Sequence, residues 1–293
     1  MKAKKPLSII LSLILMLAFV ACFTACGSSD AGADNDAANQ KPVLTVAVSP
    51  DFSPMEFVDT SKTGQDQYVG FDITLAKFIA DEIGMTLEIK PMSFDACQAA
   101  VQSGNVEISI SGYSYTPERA ENFNLSDYYY AGDNETEQTI IVLADKAGQF
   151  DSVDDFAGLT IGAQTASLQM ALCESQLPDS TKIKEFGDVG TAVEALRNGN
   201  VDGLAVAHGN GKAIIASNDN IGFSGFLFDV AEESENNVIL IKKGNDELTE
   251  KINACLAKAY ENGYYGQWYT EAQELAGIDT AADVTYDDEG NVE

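Results

Sequence analysis

The sequence predicts an α/β protein built as two similar lobes joined by two crossovers. Three observations carry this expectation. From Val43 onward, apolar runs bounded by turn residues alternate with helical periodicity in the order β-α-β-α-β, which implies a parallel sheet with helices on its faces. Beyond residue 137 the pattern returns as a weaker echo, and both halves place "GNV" plus an acid between a helix and an apolar strand: "QAAVQSGNVEISIS" in the first, "TAVEALRNGNVDGLAVA" in the second. Finally, "NNVILIKKGNDELTEKINACLAKAYENGYYGQWYTEAQELAG" supplies a strand and two helices that complete neither pattern as a separate domain. Returned to the first lobe, it forces a second crossing.

Taken in order, the chain opens with Lys2, Lys4 and Lys5, then an apolar run from Pro6 to Phe23, then "TACGSSDAGADNDAANQK". A basic start, an apolar core and small residues before a cysteine describe a lipoprotein export signal over residues 1–25, with lipid on Cys26 and a flexible tether over 26–42. Cys22 competes as the lipidated residue, and Phe23 is an imperfect residue three before Cys26. The run is also long enough to remain as a membrane anchor.

"VLTVAVS" is a strand, "FDITLAKFIADEIG" a helix closing on Gly84, "LEIK" a strand, and Asp95 to Gln102 a helix ending at "SGN". "VEISISG" is a buried strand ending in Gly112. Thr116 and Pro117 then read as the cap and first residue of a helix that carries Arg119 in its first turn. The predicted first lobe spans 43–132 and 235–277, and the second spans 137–230. The crossings fall near Ala131 to Glu137 and near Asp229 to Asn236, and residues 278–293 form an acidic, weakly ordered tail. A double crossing makes a hinge, with a cleft between the carboxyl ends of the two sheets.

The chain carries 46 acidic and 17 basic residues, a net charge of −29. Removal of the first 25 residues would take away three lysines and no acid. Such a surface disfavours nucleic acid and anionic lipid as partners. Cys97, Cys173 and Cys255 are far apart and lack metal spacing, so buried apolar thiols are expected, not a disulfide framework. One histidine, no phosphate loop and no metal-ligand spacing leave little for an enzyme, and no cofactor or metal is implied.

Only two arginines occur, Arg119 and Arg197. A cation in a first helical turn opposes the helix dipole unless an anion sits there too, held by free N–H groups and by a guanidinium fork that fits a carboxylate. The alternative is a surface arginine paired with Glu118 or Glu121.

Together, "LTVAVSPDFSPMEF", "YVGFDITLAKFIADEIG", "VQSGNVEISISGYSYTPERAENFNLSDYYY", "AGLTIGAQTASLQ" and "KKGNDELTEKINACLAKAYENGYYGQW" make the chain, from about Leu44 to Gly277, resemble the amino-acid-binding lipoproteins of ABC uptake systems. These are extracellular solute-binding proteins of family 3, with the two-lobed type II periplasmic-binding (flytrap) fold. The resemblance implies a lipid-anchored, monomeric binding protein on the outer face of the cell membrane, or its periplasmic side, delivering an amino acid or related carboxylate to a permease and its ATPase. It makes Arg119 the clamp for the ligand's α-carboxylate, with Ser111, Gly112 and Ser114 around it. It also brings the Thr165 to Gln169 loop, with Ser167, Leu168 and Gln169, over the same group; that loop reads equally as a capped helix start. Phe52 and Phe94 would flank the ligand side chain, or else sit in the core.

Two positions depart from the family pattern. Ser49 and Ala207 stand where such proteins commonly carry the aspartates that meet an α-ammonium, and Asp51, Glu56 and Asp133 are the nearest acids in sequence. His208, beside Ala207, would hydrogen-bond a ligand or cap a turn in "HGNG". A solute sensor or a catalytic member of the same fold is the competing function.

Overall fold

The computed structural model describes residues 41–130 and 137–278. The expected signal, Cys22 and Cys26, the tether up to Gln40, the first crossing with Asp133, and the tail beyond Ile278 lie outside them. Among the described residues, no helix is long and apolar enough to cross a membrane.

Eighteen principal elements form two five-stranded sheets with helices packed on them. The first sheet uses β1 (Val43–Val48), β2 (Thr86–Pro91), β3 (Ile108–Ser114), β4 (Phe123–Leu125) and β10 (Asn237–Lys242), in the order β2-β1-β3-β10-β4. The second uses β5 (Gln138–Leu143), β6 (Thr160–Gln164), β7 (Lys182–Phe186), β8 (Gly203–Ala207) and β9 (Ile221–Leu227), in the order β7-β6-β8-β5-β9. In each lobe the first three strands of the order are parallel and the fourth is antiparallel, so the order implied by the sequence holds for the core of each sheet. A small three-stranded sheet of Asp51–Phe52, Glu56–Val58 and Tyr68–Val69 leads from β1 into the first helix, α1 (Phe71–Glu82).

The repeated "GNV" plus acid has a physical role in both halves. Glu107 accepts the Thr45 N–H (2.8 Å) at β1, and Asp202 accepts the Thr160 N–H (2.9 Å) at β6. In each lobe, therefore, the acid after the turn ties the neighbouring parallel strand into register. The turns themselves follow α2 (Phe94–Ser103) and α5 (Val189–Arg197); after α2, Gly104 takes φ 78°, a left-handed helix end that favours glycine.

The C-terminal segment does return to the first lobe. β10 pairs antiparallel with β3 and β4, and α7 (Asp246–Glu261) and α8 (Tyr264–Leu275) pack on α1. Tyr265, Trp268 and Tyr269, at helical i, i+3, i+4 spacing, surround the buried Phe71 ring with centroids 5.9, 6.4 and 6.1 Å away. Full burial of one such ring stabilises by about 1.5–3 kcal/mol, and the aromatic pairs add to it. Cys97, Cys173 and Cys255 are buried free thiols.

Candidate functional site

The site is built where strand ends of both sheets face each other. β3 does not stop at Gly112 but runs on to Ser114, with all seven residues buried and Gly112 at φ 55°. Thr116 then caps α3 (Pro117–Asn122), its hydroxyl accepting the Arg119 N–H at 3.1 Å, with Pro117 opening the helix. The cap is as the sequence implies, but α3 has only six residues, and Thr116 already occupies the amide of Arg119.

Arg119 is 5% exposed, which removes the surface-pair reading. Its guanidinium turns back along the strand end and donates from Nη1 to the Ser114 carbonyl at 2.6 Å. From Nη2 it donates across the cleft to the Ala166 carbonyl at 3.1 Å. The guanidinium carbon lies 5.1 Å from the Tyr113 ring centre and 5.7 Å from that of Phe94, and those two rings stack at 4.8 Å. A cation held by two carbonyls and two aromatic faces is fixed in direction.

The facing wall comes from the second lobe. Ser167 caps α4 (Leu168–Gln176) by accepting the Met170 N–H at 3.1 Å. Ala166, just before it, sits at φ 62°, the one non-glycine in the left-handed region among the described residues. That turn presents the Ala166 carbonyl to Arg119 and, at 3.4 Å, to the Gln98 side-chain amide.

Between these walls is a narrow cavity of about 20 Å³ lined by Phe52, Phe94, Ser111, Gly112, Ser114, Arg119, Gln164, Ser167, Leu168 and Gln169. The structure thus brings together nine of the eleven ligand-site residues expected from the sequence. Gln164 is the addition; its signal was a polar residue ending the apolar run "TIGA" just before the loop. Phe52 and Phe94 line the cavity while also packing on the first lobe's core.

Ser49 and His208 do not line the cavity. The Ser49 N–H donates to Ser111 Oγ (3.0 Å) and its hydroxyl to Asp51 (2.8 Å). His208 is not in a turn but opens α6 (His208–Ala216), stacked 4.5 Å from Phe223 with Nδ1 3.3 Å from Glu137. Gln138, from the strand beside β8, accepts from the Gln169 side chain at 2.7 Å.

Three more hydrogen bonds join the lobes, one of them from the Gln164 side-chain amide to Asp51 at 3.5 Å. Asp51 accepts the Val189 N–H (2.5 Å) at the start of α5, and Asn210 donates to the Ser53 carbonyl at 3.0 Å. Burial raises the Asp51 carboxyl above its ordinary value, and the Val189 N–H and Ser49 hydroxyl offset only part of that cost. Among the described residues no group of acids, histidines or cysteines has the arrangement of a metal site.

Residues 44–272 match the model of the bacterial extracellular solute-binding proteins, family 3. An arginine-binding extracellular protein of Bacillus subtilis is 29% identical over 224 residues, covering 76% of this chain and 83% of that protein. A probable histidine-binding protein of Neisseria gonorrhoeae is 27% identical, covering 80% and 84%. Among solved structures, an amino-acid ABC transporter substrate-binding protein of Streptococcus pneumoniae, bound to L-arginine, superposes with a TM-score of 0.73 at 31% identity, covering 81% of this chain and 97% of the other. An ancestral arginine-binding protein bound to glutamine gives 0.70 at 31%, covering 80% and 98%. The two lobes described above have the type II periplasmic-binding fold of these proteins.

Proposed function

Because the chain belongs to the bacterial extracellular solute-binding proteins of family 3, we propose that it captures an amino acid or related small carboxylate between its lobes and delivers it to the permease of an ABC importer. The observation that carries this reading is Arg119, a buried guanidinium aimed along the wall of a cavity bounded by both lobes. A ligand carboxylate takes the guanidinium fork, with Ser114 and the Ser167–Gln169 turn donating around it and the Gly112 backbone in contact with the ligand head, and Phe52 and Phe94 hold the side chain. The protein works as a monomer, carried on the outer face of the membrane by lipid on Cys26.

The ligand's other end is less constrained by charge. No aspartate or glutamate lines the cavity among the described residues, and Ala207 and Ser49 stand where the family pattern leads one to expect acids. Asp51 is engaged by Ser49 and Val189, and Glu56 is buried behind Ser111. An ammonium desolvated here without a partner would cost several kcal/mol. Carboxylates without a free α-ammonium therefore bind at least as well as their amino counterparts.

Thermal-shift and calorimetric titration with L-arginine, L-glutamine, L-histidine, L-cystine and their Nα-acetyl forms tests both parts. A shift from at least one carboxylate supports capture, and silence from all of them overturns it. A strong preference for free amino acids overturns only the clause on the ammonium. Mass analysis of the mature amino terminus decides the lipid on Cys26.

A further inference from the structure

Two carboxyl groups lie under the first-lobe wall of the cavity, and both are 0% exposed: Glu56, from the strand Glu56–Val58, and Asp72, in the first turn of α1. The two acids are close enough that the charge of Asp72 bears on Glu56. Glu56 Oε2 and Asp72 Oδ1 are buried with no hydrogen-bond partner among the described residues. A proton between these two oxygens would satisfy both, and two adjacent buried carboxylates cannot both stay charged.

The remaining oxygens reach the cavity wall directly. Glu56 Oε1 accepts the Ser111 hydroxyl, whose oxygen in turn accepts the Ser49 N–H at 3.0 Å. Asp72 Oδ2 accepts the Gly112 N–H at 2.8 Å and the Tyr129 hydroxyl at 3.1 Å. Successive residues of the wall are thus tied to opposite members of the pair. We propose that Glu56 and Asp72 share one proton at neutral pH, Glu56 donating to Asp72, and that this singly charged pair is the positioning device that sets Ser111 and Gly112 in the cavity wall.

The surroundings favour one proton over none. Burial pushes both carboxyls up, Asp72 to about 6 and Glu56 well above the usual carboxylate range, with the Asp72 and Asp51 charges adding to the shift of Glu56. The Gly112 N–H and the Tyr129 hydroxyl hold Asp72 as the ionised member. From β3, Tyr113 faces the pair as a neutral phenol, and the guanidinium beyond it belongs to Arg119. Loss of the shared proton would place a second negative charge behind the wall, facing a bound carboxylate; this consequence, unlike the sharing itself, rests on the function proposed above.

Both readouts of the test are ligand-free, so their failure is distinct from failure of carboxylate capture. Infrared spectroscopy of the wild type at neutral pH is expected to show the carbonyl stretch of a protonated carboxylic acid, lost in Glu56→Gln. Glutamine keeps the geometry, since its amide donates to Asp72 and its carbonyl accepts from Ser111. The Gly112 and Ser49 amide resonances should accordingly stay in place in Glu56→Gln and move in Glu56→Ala. Raising the pH should shift both resonances of the wild type together with loss of the infrared band, and should leave Glu56→Gln unmoved. A wild-type spectrum without the band, a band that survives Glu56→Gln, or amides that titrate alike in both proteins would overturn the proposal. The wild-type spectrum decides even if a variant fails to fold.

Discussion

Replacing Arg119 with alanine removes the group that the cavity is arranged around. The guanidinium is held at 2.6 Å by the Ser114 carbonyl and at 3.1 Å by that of Ala166, over two aromatic faces. Little ordering cost therefore remains when an anion binds, and a charge-assisted bond should count for close to its full range of about 1.5–3 kcal/mol. That corresponds to a dissociation constant roughly ten- to more than a hundred-fold weaker for Arg119→Ala. Arg119→Lys should recover only part of this, because an ammonium lacks the planar fork. Calorimetry with the amino acid that gives the largest thermal shift reads the effect, with circular dichroism confirming that the variants are folded. If Arg119→Ala binds as the wild type does, the guanidinium is a structural tie between two carbonyls, and the reasoning about the ligand fails.

Other substitutions separate the site from its frame. Arg197→Ala, which removes an exposed pair with Glu194 at 2.6 Å, should change affinity not at all and stability by less than about 1 kcal/mol in a denaturant titration. Gly70→Ala should cost about 3 kcal/mol or more, because a Cβ there would meet the Met55 carbonyl oxygen at 2.3 Å and Gly70 has φ 116°; a melting temperature within a degree or two of wild type would refute this. Glu56 has a folded-state value above its usual 4.5, so the folded protein keeps a proton the unfolded chain has released. Its contribution to stability is present below about pH 4.5 and is lost as pH rises toward the folded value, at about 1.4 kcal/mol per pH unit. Denaturant titrations at several pH values should show this slope as the difference between wild type and Glu56→Gln; parallel curves would contradict it.

The first lobe and the cleft were legible in the sequence because their signals are local. The helix from Phe71, the return of "NNVILIKK", the Thr116 cap and the shared "GNV" turns each follow from residues within a few positions of one another. What stayed hidden depends on distant contacts. "HGNGKAIIA" reads as a turn by its two glycines, yet it is helical, and Gly211 is needed because a Cβ would come within 2.7 Å of the Phe223 ring. "KIKEF" alternates too weakly to announce a strand, and pairing with β6 supplies what propensity does not. The orientation of Arg119 and the engagement of Ser49 and Ser111 with acids beside them came only from the fold. Acids inside the apolar runs "PMEFV" and "GFDIT" were the one available hint of the Glu56–Asp72 pair.

Capture of a small carboxylate between the lobes is tested most directly by mass spectrometry of the small molecules released when the protein, purified without added amino acids, is denatured. The account predicts a stoichiometric molecule bearing a carboxylate, absent from Arg119→Ala prepared in the same way. A stoichiometric molecule without a carboxylate, or the same molecule retained in full by Arg119→Ala, would contradict it.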